Sequence, residues 1–416
     1  MGIGPAPEGK YRHWDTLRHV APPPGLTSEE WWAAIKFARS QAQRRIPLKD
    51  RNGRSFVYST PDPVLEFLHQ IDRDASGRIA LPEAITNPHT KDRYVQSSLI
   101  EEAITSSQLE GAAATREQAR DMLRSGRKPI DRSERMILNN YHAMQLISAF
   151  KNKPLTPDVI FEIHRTITRE TLSDDVEPPY LRQPNDGIAV FDDRDNVLLH
   201  QPPKASEIPA RMQAMCDFAN GTETEIFLHP VLKAIILHFW LAYDHPFVDG
   251  NGRTARALFY WCMLSEGYWL AEFISISSIL RKAPARYGRS FLYTETDDND
   301  LTYFLAAQLQ VICRAIQELH KYLAKKVEEI RKTEQLLRIS VDLNHRQLAL
   351  LSHALRHPGT RYTIESHKMS HGVTYQTART DLLDLESQGL LLKGRSGKAF
   401  TFMPVVDLYE RLQQLA

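Results

Sequence analysis

The sequence predicts a mainly α-helical protein, and three observations carry that prediction. Apolar residues recur at helical spacing over most of the chain. Strand-like runs are confined to a Pro- and Gly-bracketed stretch at 178–203 and to the region after His345. At 416 residues the chain exceeds what one small core holds, so two or three domains are expected.

The elements follow in order. The first thirty residues, with Tyr11-Arg12-His13-Trp14 and Pro22-Pro23-Pro24, read as an extended arm wrapped on a helical body. Thr27-Ser28-Glu29-Glu30 opens a helix carrying Trp31, Trp32, Ile35 and Ala38. Residues 62–75 and 92–108 are helical, interrupted at Asp74–Gly77 and Pro88. Helical pattern continues over 131–170. Two short runs, 188–191 and 197–200, flank an acidic tip at 192–196 and predict a hairpin. Residues 230–244 predict an amphipathic helix with Val231, Ile235, Leu237, Phe239 and Leu241 on one face. Another runs from about Arg253 to Glu266, and a long one covers roughly 300–338. Its 4-3 spacing of Leu323, Val327, Ile330, Leu337 and Val341 suits a packed spacer or a homodimer seam.

Composition excludes several classes. With 42% hydrophobic and 25% charged residues the chain is an ordinary globular protein. A net charge of +1 argues against a general polyanion binder, so any nucleic-acid site is a local patch. Cys216, Cys262 and Cys313 lie far apart, without metal or redox spacing, and fit a reducing compartment. The start, Met1-Gly-Ile-Gly-Pro, shows no secretory pattern, and the apolar run 234–243 is too short for a membrane span. A cytoplasmic protein with no membrane partner is expected.

The chemistry concentrates in His245-Pro-Phe247-Val-Asp249-Gly250-Asn251-Gly252-Arg253-Thr-Ala-Arg256. A helix ends near Asp244 and another begins near Arg253. Gly250 and Gly252 let the chain turn and leave the backbone N–H groups open, a geometry that suits phosphate. Arg253 and Arg256, three apart, project on one face and can each fork a phosphate oxygen. Asp249 suits Mg²⁺. His245 is the group that titrates near neutrality, hence the natural general base.

This string resembles the signature of the Fic family, His-x-Phe-x-(Asp/Glu)-Gly-Asn-Gly-Arg-x-x-Arg, with every specified position filled. His229-Pro230 and Tyr11–Trp14 look family-like too, so the resemblance covers most of 10–310. It implies a helical core that binds Mg²⁺–ATP and attaches AMP to Ser, Thr or Tyr hydroxyls of itself or of a target protein. By that resemblance His245 deprotonates the hydroxyl and Asp249 holds the metal. Asn251 and Gly252 line the anion hole with Gly250, Arg253 holds the phosphate chain, Arg256 the γ-phosphate, and Phe247 anchors the loop. Phosphorylating relatives carry Lys where this chain has Gly252, so nucleotidyl transfer is favoured.

Ser106-Ser-Gln-Leu-Glu110-Gly111 alone reads as a helix end with Gly111 as terminator. It is similar to the family's inhibitory motif, (Ser/Thr)-x-x-x-Glu-(Gly/Asn), which implies that Glu110 pairs with Arg256 and takes the γ-phosphate position. The resemblance also makes the 188–200 hairpin a flap that holds the target as an added strand, and Tyr287 a nucleotide contact or a packed core residue.

After His345 the composition shifts: eight Lys/Arg stand against four acids over 345–402, a balance of +4. Helices at 345–356, from about 363, and 374–388, followed by pairable runs 390–393 and 399–402, resemble a winged helix-turn-helix. Thr374, Tyr375, Gln376, Thr377 and Arg379 suit base edges; Lys393, Arg395 and Lys398 suit phosphates. The same fold also serves protein contacts, so DNA and a protein partner are both open. The expected division is 1–110 with the inhibitory helix, 111–320 as catalytic core, 321–344 as helical linker and 345–416 as winged helix-turn-helix. The expected function is a Fic-type protein adenylyltransferase restrained by Glu110. The alternatives are an ATP-sensing DNA-binding regulator or an enzyme that removes AMP.

Overall fold

The computed structural model describes residues 3–75, 88–172, 181–191, 197–221, 227–339, 343–356, 360–396 and 399–414. The chain forms two compact units, Met1–Leu319 and His320–Ala416.

Unit 1 begins with the arm, in which α1 (Trp14–Leu17) is a single turn. Helix α2 (Ser28–Ser40) starts on a capping box: Thr27 Oγ1 accepts from the Glu30 amide while Glu30 accepts from the Thr27 amide. Arg39, fully buried, fixes the arm by donating to the Pro5 and Arg12 carbonyls, with its guanidinium 3.6 Å from the Tyr11 ring centre. Strands β1 (Arg44–Lys49) and β2 (Ser55–Tyr58) pair antiparallel. This hairpin departs from the sequence expectation, which places the first hairpin at 188–200. Pro47 masks the alternation of Ile46 and Leu48, and the register slips between Arg45 and Lys49, where a bulge tolerates proline.

Helix α3 (Asp62–Ala75) is followed by α4 (Pro88–Leu109). Pro88 opens α4 instead of interrupting it, as suits a residue without an N–H. Then come α5 (Arg116–Ser125), α6 (Arg132–Phe150), α7 (Pro157–Thr168), the hairpin β3 (Val190–Phe191) and β4 (Leu198–His200), α8 (Ile208–Asn220), α9 (Pro230–Asp244) and α10 (Asn251–Ser265). Its acidic tip, 192–196, lies outside the described residues. Short α11 (Ile276–Leu280), α12 (Pro284–Thr296) and the long α13 (Thr302–Ile339) follow.

Helices α9 and α10 form the centre. The expected amphipathic stripe on α9 is not what the fold uses: Leu232, Ala234, Ile236, His238 and Trp240 are buried along with the predicted face. A helix apolar all round belongs inside a core.

Unit 2 contains α14 (His345–Arg356), β5 (Tyr362–Thr363), α15 (Ile364–His371), α16 (Tyr375–Ser387), β6 (Leu391–Ser396), β7 (Ala399–Pro404) and α17 (Leu408–Gln414). Its strands form an antiparallel sheet in the order β5-β7-β6 around Leu351, Leu382, Leu385 and Phe402. Leu323 on α13 is buried; Val327, Ile330, Leu337 and Val341, which carry the expected seam, have side chains outside the described residues. Among the described residues no helix is long and apolar enough to cross a membrane.

Candidate active site

The loop between α9 and α10 is short and over-determined. His245 caps α9 in the left-handed region, at φ 45° and ψ 57°, a conformation that costs a non-glycine residue free energy. Two restraints hold it there. Arg182 donates from Nε to the His245 carbonyl at 2.7 Å and from Nη2 to the Asp244 and Pro203 carbonyls at 3.2 and 2.5 Å. The Asn251 side chain then closes the turn, accepting from the Phe247 amide at 2.9 Å and donating to the Phe247 carbonyl at 2.8 Å. Asn251, expected in the anion hole, thus commits its side chain to the loop, which leaves its backbone amide, in the first turn of α10, as the group it can offer an anion.

Phe247 is fully buried, with its ring stacked on His164 at 3.7 Å. His164 Nε2 is 2.9 Å from the Asp249 carbonyl, which only accepts, so Nε2 carries the proton. Burial pushes the His164 pKa down to about 4 and keeps the ring neutral. Gly250 has φ 83°, and a Cβ there would meet Thr168 Cγ2 at 2.7 Å, so this position requires glycine.

His245 Nδ1 lies 3.3 Å from the Ala242 carbonyl. A carbonyl cannot donate, so the proton sits on Nδ1 and the lone pair on Nε2. Burial pushes its pKa down to about 4, while the hydrogen bond to Ala242 and the Glu110 charge act upward. The ring is therefore a neutral acceptor at physiological pH.

Asp249 is flanked by cations. Its Oδ1 accepts from the Gly250 amide at 2.5 Å and from Arg253 at 3.3 Å; its Oδ2 accepts from Arg132 at 3.2 Å. Arg253 is fully buried, also donates to the Ile167 carbonyl, and has no partner at Nε. Among the described residues no group of three His, Cys, Asp or Glu side chains stands together as a metal cage. A lone carboxylate beside an anion-binding turn does fit Mg²⁺ that arrives with a nucleotide, because that ion usually keeps one or two protein carboxylates.

Helix α10 makes its first intrahelical bond from the Thr254 amide to the Gly250 carbonyl, so the preceding amides have no helical partner. The Glu110 carboxylate lies against Gly252 in this first turn: a Cβ on Gly252 would collide with its Oε1. Glu110 is the C-cap of α4, whose end is a Schellman turn. The Ala112 amide bonds to the Ser107 carbonyl, and Gly111, at φ 88°, to the Gln108 carbonyl. Arg256, buried, donates to Glu110 Oε1 at 2.8 Å, to Ser106 Oγ at 2.8 Å and to the Ser106 carbonyl at 3.0 Å. Burial would lower its pKa, but Glu110 holds it above the usual arginine value.

Tyr287 gives its hydroxyl to a 2.7 Å hydrogen bond with buried His238, and its ring packs edge-on against Phe291. Burial pushes the phenol up to about 12, with Arg256 acting against it. On the hairpin, His200 joins the site's edge, with Nε2 donating to the Tyr243 carbonyl at 2.7 Å and Nδ1 2.9 Å from Glu295. Phe191, Val197 and Leu198 are about half exposed, at 46%, 53% and 50%.

The structure thus brings together His245, Asp249, Gly250, Asn251, Gly252, Arg253, Arg256, Ser106, Glu110 and Gly111. Sequence reasoning missed Arg132, His164, Arg182 and His200. None lies near the loop in sequence, and only the fold reveals them.

Comparison with known proteins agrees with this geometry. The Fic/DOC family model matches residues 154–263. The chain is 26% identical over 211 residues to "Protein adenylyltransferase Fic" of Nematostella vectensis, covering 49% of this chain and 45% of the relative. It is 27% identical over 270 residues to the protein of that name from Drosophila willistoni, covering 63% and 50%. The chain spans about half the length of these curated relatives. A Fic family protein from Desulfovibrio desulfuricans superposes with a TM-score of 0.56 at 18% identity, over 84% of this chain and 98% of the other. Residues 134–508 of Fic-1 from C. elegans superpose with a TM-score of 0.52 at 19% identity, over 73% and 79%. The fold is therefore that of solved Fic proteins, and the segment 154–263, which contains the loop of His245 to Arg256, is similar to the Fic/DOC family.

Proposed function

We propose that this protein is an adenylyltransferase that moves AMP from ATP onto a Ser, Thr or Tyr hydroxyl of a protein, itself or another. The observation that carries this reading is a neutral His245 with Nε2 free, beside the amide-lined start of α10 and the cations Arg253 and Arg256. In that reading His245 Nε2 takes the hydroxyl proton as oxygen attacks Pα; the new O–Pα bond forms, the Pα–O–Pβ bond breaks, and pyrophosphate leaves. The amides of Asn251 and Gly252 receive charge on the phosphate oxygens. Asp249 would hold Mg²⁺, which neutralises phosphate charge when bound, after Arg132 and Arg253 release its oxygens. Gly252 supports nucleotidyl over phosphoryl transfer, because the phosphorylating relatives that the loop resembles carry Lys at this position.

Glu110 restrains the reaction. Its carboxylate holds Arg256 and lies against Gly252 in the first turn of α10, where an incoming phosphate must go. Half-exposed apolar residues on the β3–β4 hairpin support its use as the flap that receives a target segment by strand addition.

The test uses α-³²P-ATP with Mg²⁺ on wild type, Glu110→Gly, and Glu110→Gly with His245→Ala. Covalent label that rises in the first variant and disappears in the second establishes transfer, base and restraint. ATP binding without label in any of them rejects the reading in favour of an ATP sensor or of AMP removal, in which Glu110 would orient a water.

A second reading concerns unit 2. Its helix–strand–helix–helix–hairpin order supports a winged helix-turn-helix, with Thr374, Tyr375, Gln376 and Arg379 exposed on the first turns of α16 and Lys393 and Arg395 exposed on β6. Duplex DNA is the partner this surface favours. A gel-shift titration in which Arg379→Glu and Lys393→Glu leave affinity unchanged would reject it.

A further inference from the structure

Glu102, Ser106 and Glu110 follow one another at intervals of four on α4 and its C-cap; Gly252, Arg256 and Tyr260 do the same on α10. The two sets meet as an antiparallel ladder. Tyr260 donates to Glu102 at 2.9 Å, Arg256 donates to Ser106 at 2.8 Å, and the Glu110 carboxylate stands over Gly252. A four-residue step is one turn and about 6 Å on either helix, so the rungs keep register over two turns.

The rungs differ in strength. The Glu110 side chain is 28% exposed and lies beyond the last helical residue, so its pair with Arg256 is reached by water. The Glu102 carboxylate is 1% exposed. It accepts from Tyr260 Oη, from Ser275 Oγ at 2.7 Å, from the Ser277 amide at 3.1 Å and from Ser277 Oγ at 2.5 Å. Every one of these donors is neutral. Packing alone does not account for a carboxylate here, since burying one is costly and an apolar residue would fill the space. What the carboxylate supplies is an acceptor for four hydrogen bonds from three residues, Tyr260, Ser275 and Ser277, which fix both the translation and the rotation of α4. A slip of one residue would shift the helix by about 1.5 Å and turn it by about 100°, carrying Glu110 off Gly252. Ser275 is also the N-cap of α11, so the same carboxylate ties α4 to the chain that leads into α12 and Tyr287.

We propose that Glu102 is the positioning residue of the restraint: through Tyr260, Ser275 and Ser277 it sets the register that lands Glu110 on the phosphate position. This rests on the reading that Glu110 restrains AMP transfer.

The experiment measures label from α-³²P-ATP on the full chain for Glu102→Gln and Tyr260→Phe, each alone and combined with Glu110→Gly. Tyr260→Phe removes one rung while keeping the ring, and so covers the case in which Glu102→Gln fails to fold. The expected result is a rise of about 3- to 10-fold over wild type from either single change, and a change of less than about twofold in the Glu110→Gly background. A merely structural role would lower the rate by a similar factor in both backgrounds. Equal effects in both backgrounds, or no gain in a folded Glu102→Gln or, where that variant does not fold, in folded Tyr260→Phe, while Glu110→Gly gains label, overturn this inference alone. No gain from Glu110→Gly itself overturns the restraint and this inference with it.

Discussion

Glu110 Oε1 and Arg256 Nη2 lie 2.8 Å apart, joining the end of α4 to the start of α10 across 146 residues of chain. The arginine is 2% and the glutamate 28% exposed at the side chain, so the cation is held and the carboxylate is the movable partner. A charged hydrogen bond of this kind contributes about 1.5–3 kcal/mol, roughly one to two orders of magnitude in competition with a phosphate. Glu110→Gly is therefore expected to raise AMP transfer by about 10- to 100-fold, read as label per minute at saturating Mg²⁺–ATP. Unchanged transfer would show that the pair does not compete with nucleotide.

The proposed role of His245 as base predicts a pH profile. Burial pushes the His245 pKa down to about 4, and Glu110's charge opposes that shift. With His245 as the proposed base the neutral ring is the active form, so kcat/KM is expected to hold as pH falls from 7 and to be lost as pH falls through about 4. Measured on Glu110→Gly, which removes an upward influence, the acid limb sits at or below that of wild type. A limb near 6.5 would mean that His245 titrates as a solvated histidine.

What sequence reveals and what it withholds divide along chain distance here. The loop from His245 to Arg256 is contiguous, so its residue types and spacing suffice to collect base, carboxylate and cations before any fold is known. Arg132 reaches Asp249 from 117 residues away, Arg182 reaches His245 from 63, and Tyr260 reaches Glu102 across 158. No local pattern marks such partners. The misjudged elements have physical reasons as well. Pro47 hides a strand because a bulge absorbs it. The α9 stripe is misleading because periodicity registers one apolar face and cannot show that neighbours cover the others.

Gly252 gives a prediction about nucleotide binding. A methyl group at this position occupies the space now filled by the Glu110 carboxylate. In the Glu110→Gly background, Gly252→Ala leaves that methyl where a phosphate must approach the α10 amides. The expected outcome is a KM for ATP about tenfold higher in steady-state labelling, with the protein fully folded. An unchanged KM would place the nucleotide's phosphates elsewhere.

Arg182 predicts a different split. Its guanidinium holds the carbonyls of Asp244 and His245, and its own amide bonds to the Pro246 carbonyl, so it fixes His245 at positive φ. Its side-chain hydrogen bonds go to the carbonyls of His245, Asp244 and Pro203. Arg182→Ala should lower kcat by about 10- to 100-fold while KM for ATP moves little, with the same split in the Glu110→Gly background. A loss carried by KM would make it a binding residue.

Unit 2 has its own buried charge. Asp381, 3% exposed, accepts from Arg346 at 2.7 and 3.0 Å, from Asn344 at 2.8 Å and from His367 at 3.1 Å, joining α14 and α15 to α16. Burial alone would raise its pKa, but these donors draw it down to about 2. A carboxyl whose folded pKa is depressed contributes stability above its unfolded value near 3.9 and loses it as pH falls through about 2. Asp381→Asn is thus expected to destabilise unit 2 by about 2–4 kcal/mol at pH 7. The difference from wild type should close between about pH 4 and pH 2. The six tryptophans all precede His320 and do not report on this unit. The measurement is therefore hydrogen exchange of peptides from 345–404 in the full chain, which rejects the expectation if Asp381→Asn leaves their protection at pH 7 unchanged.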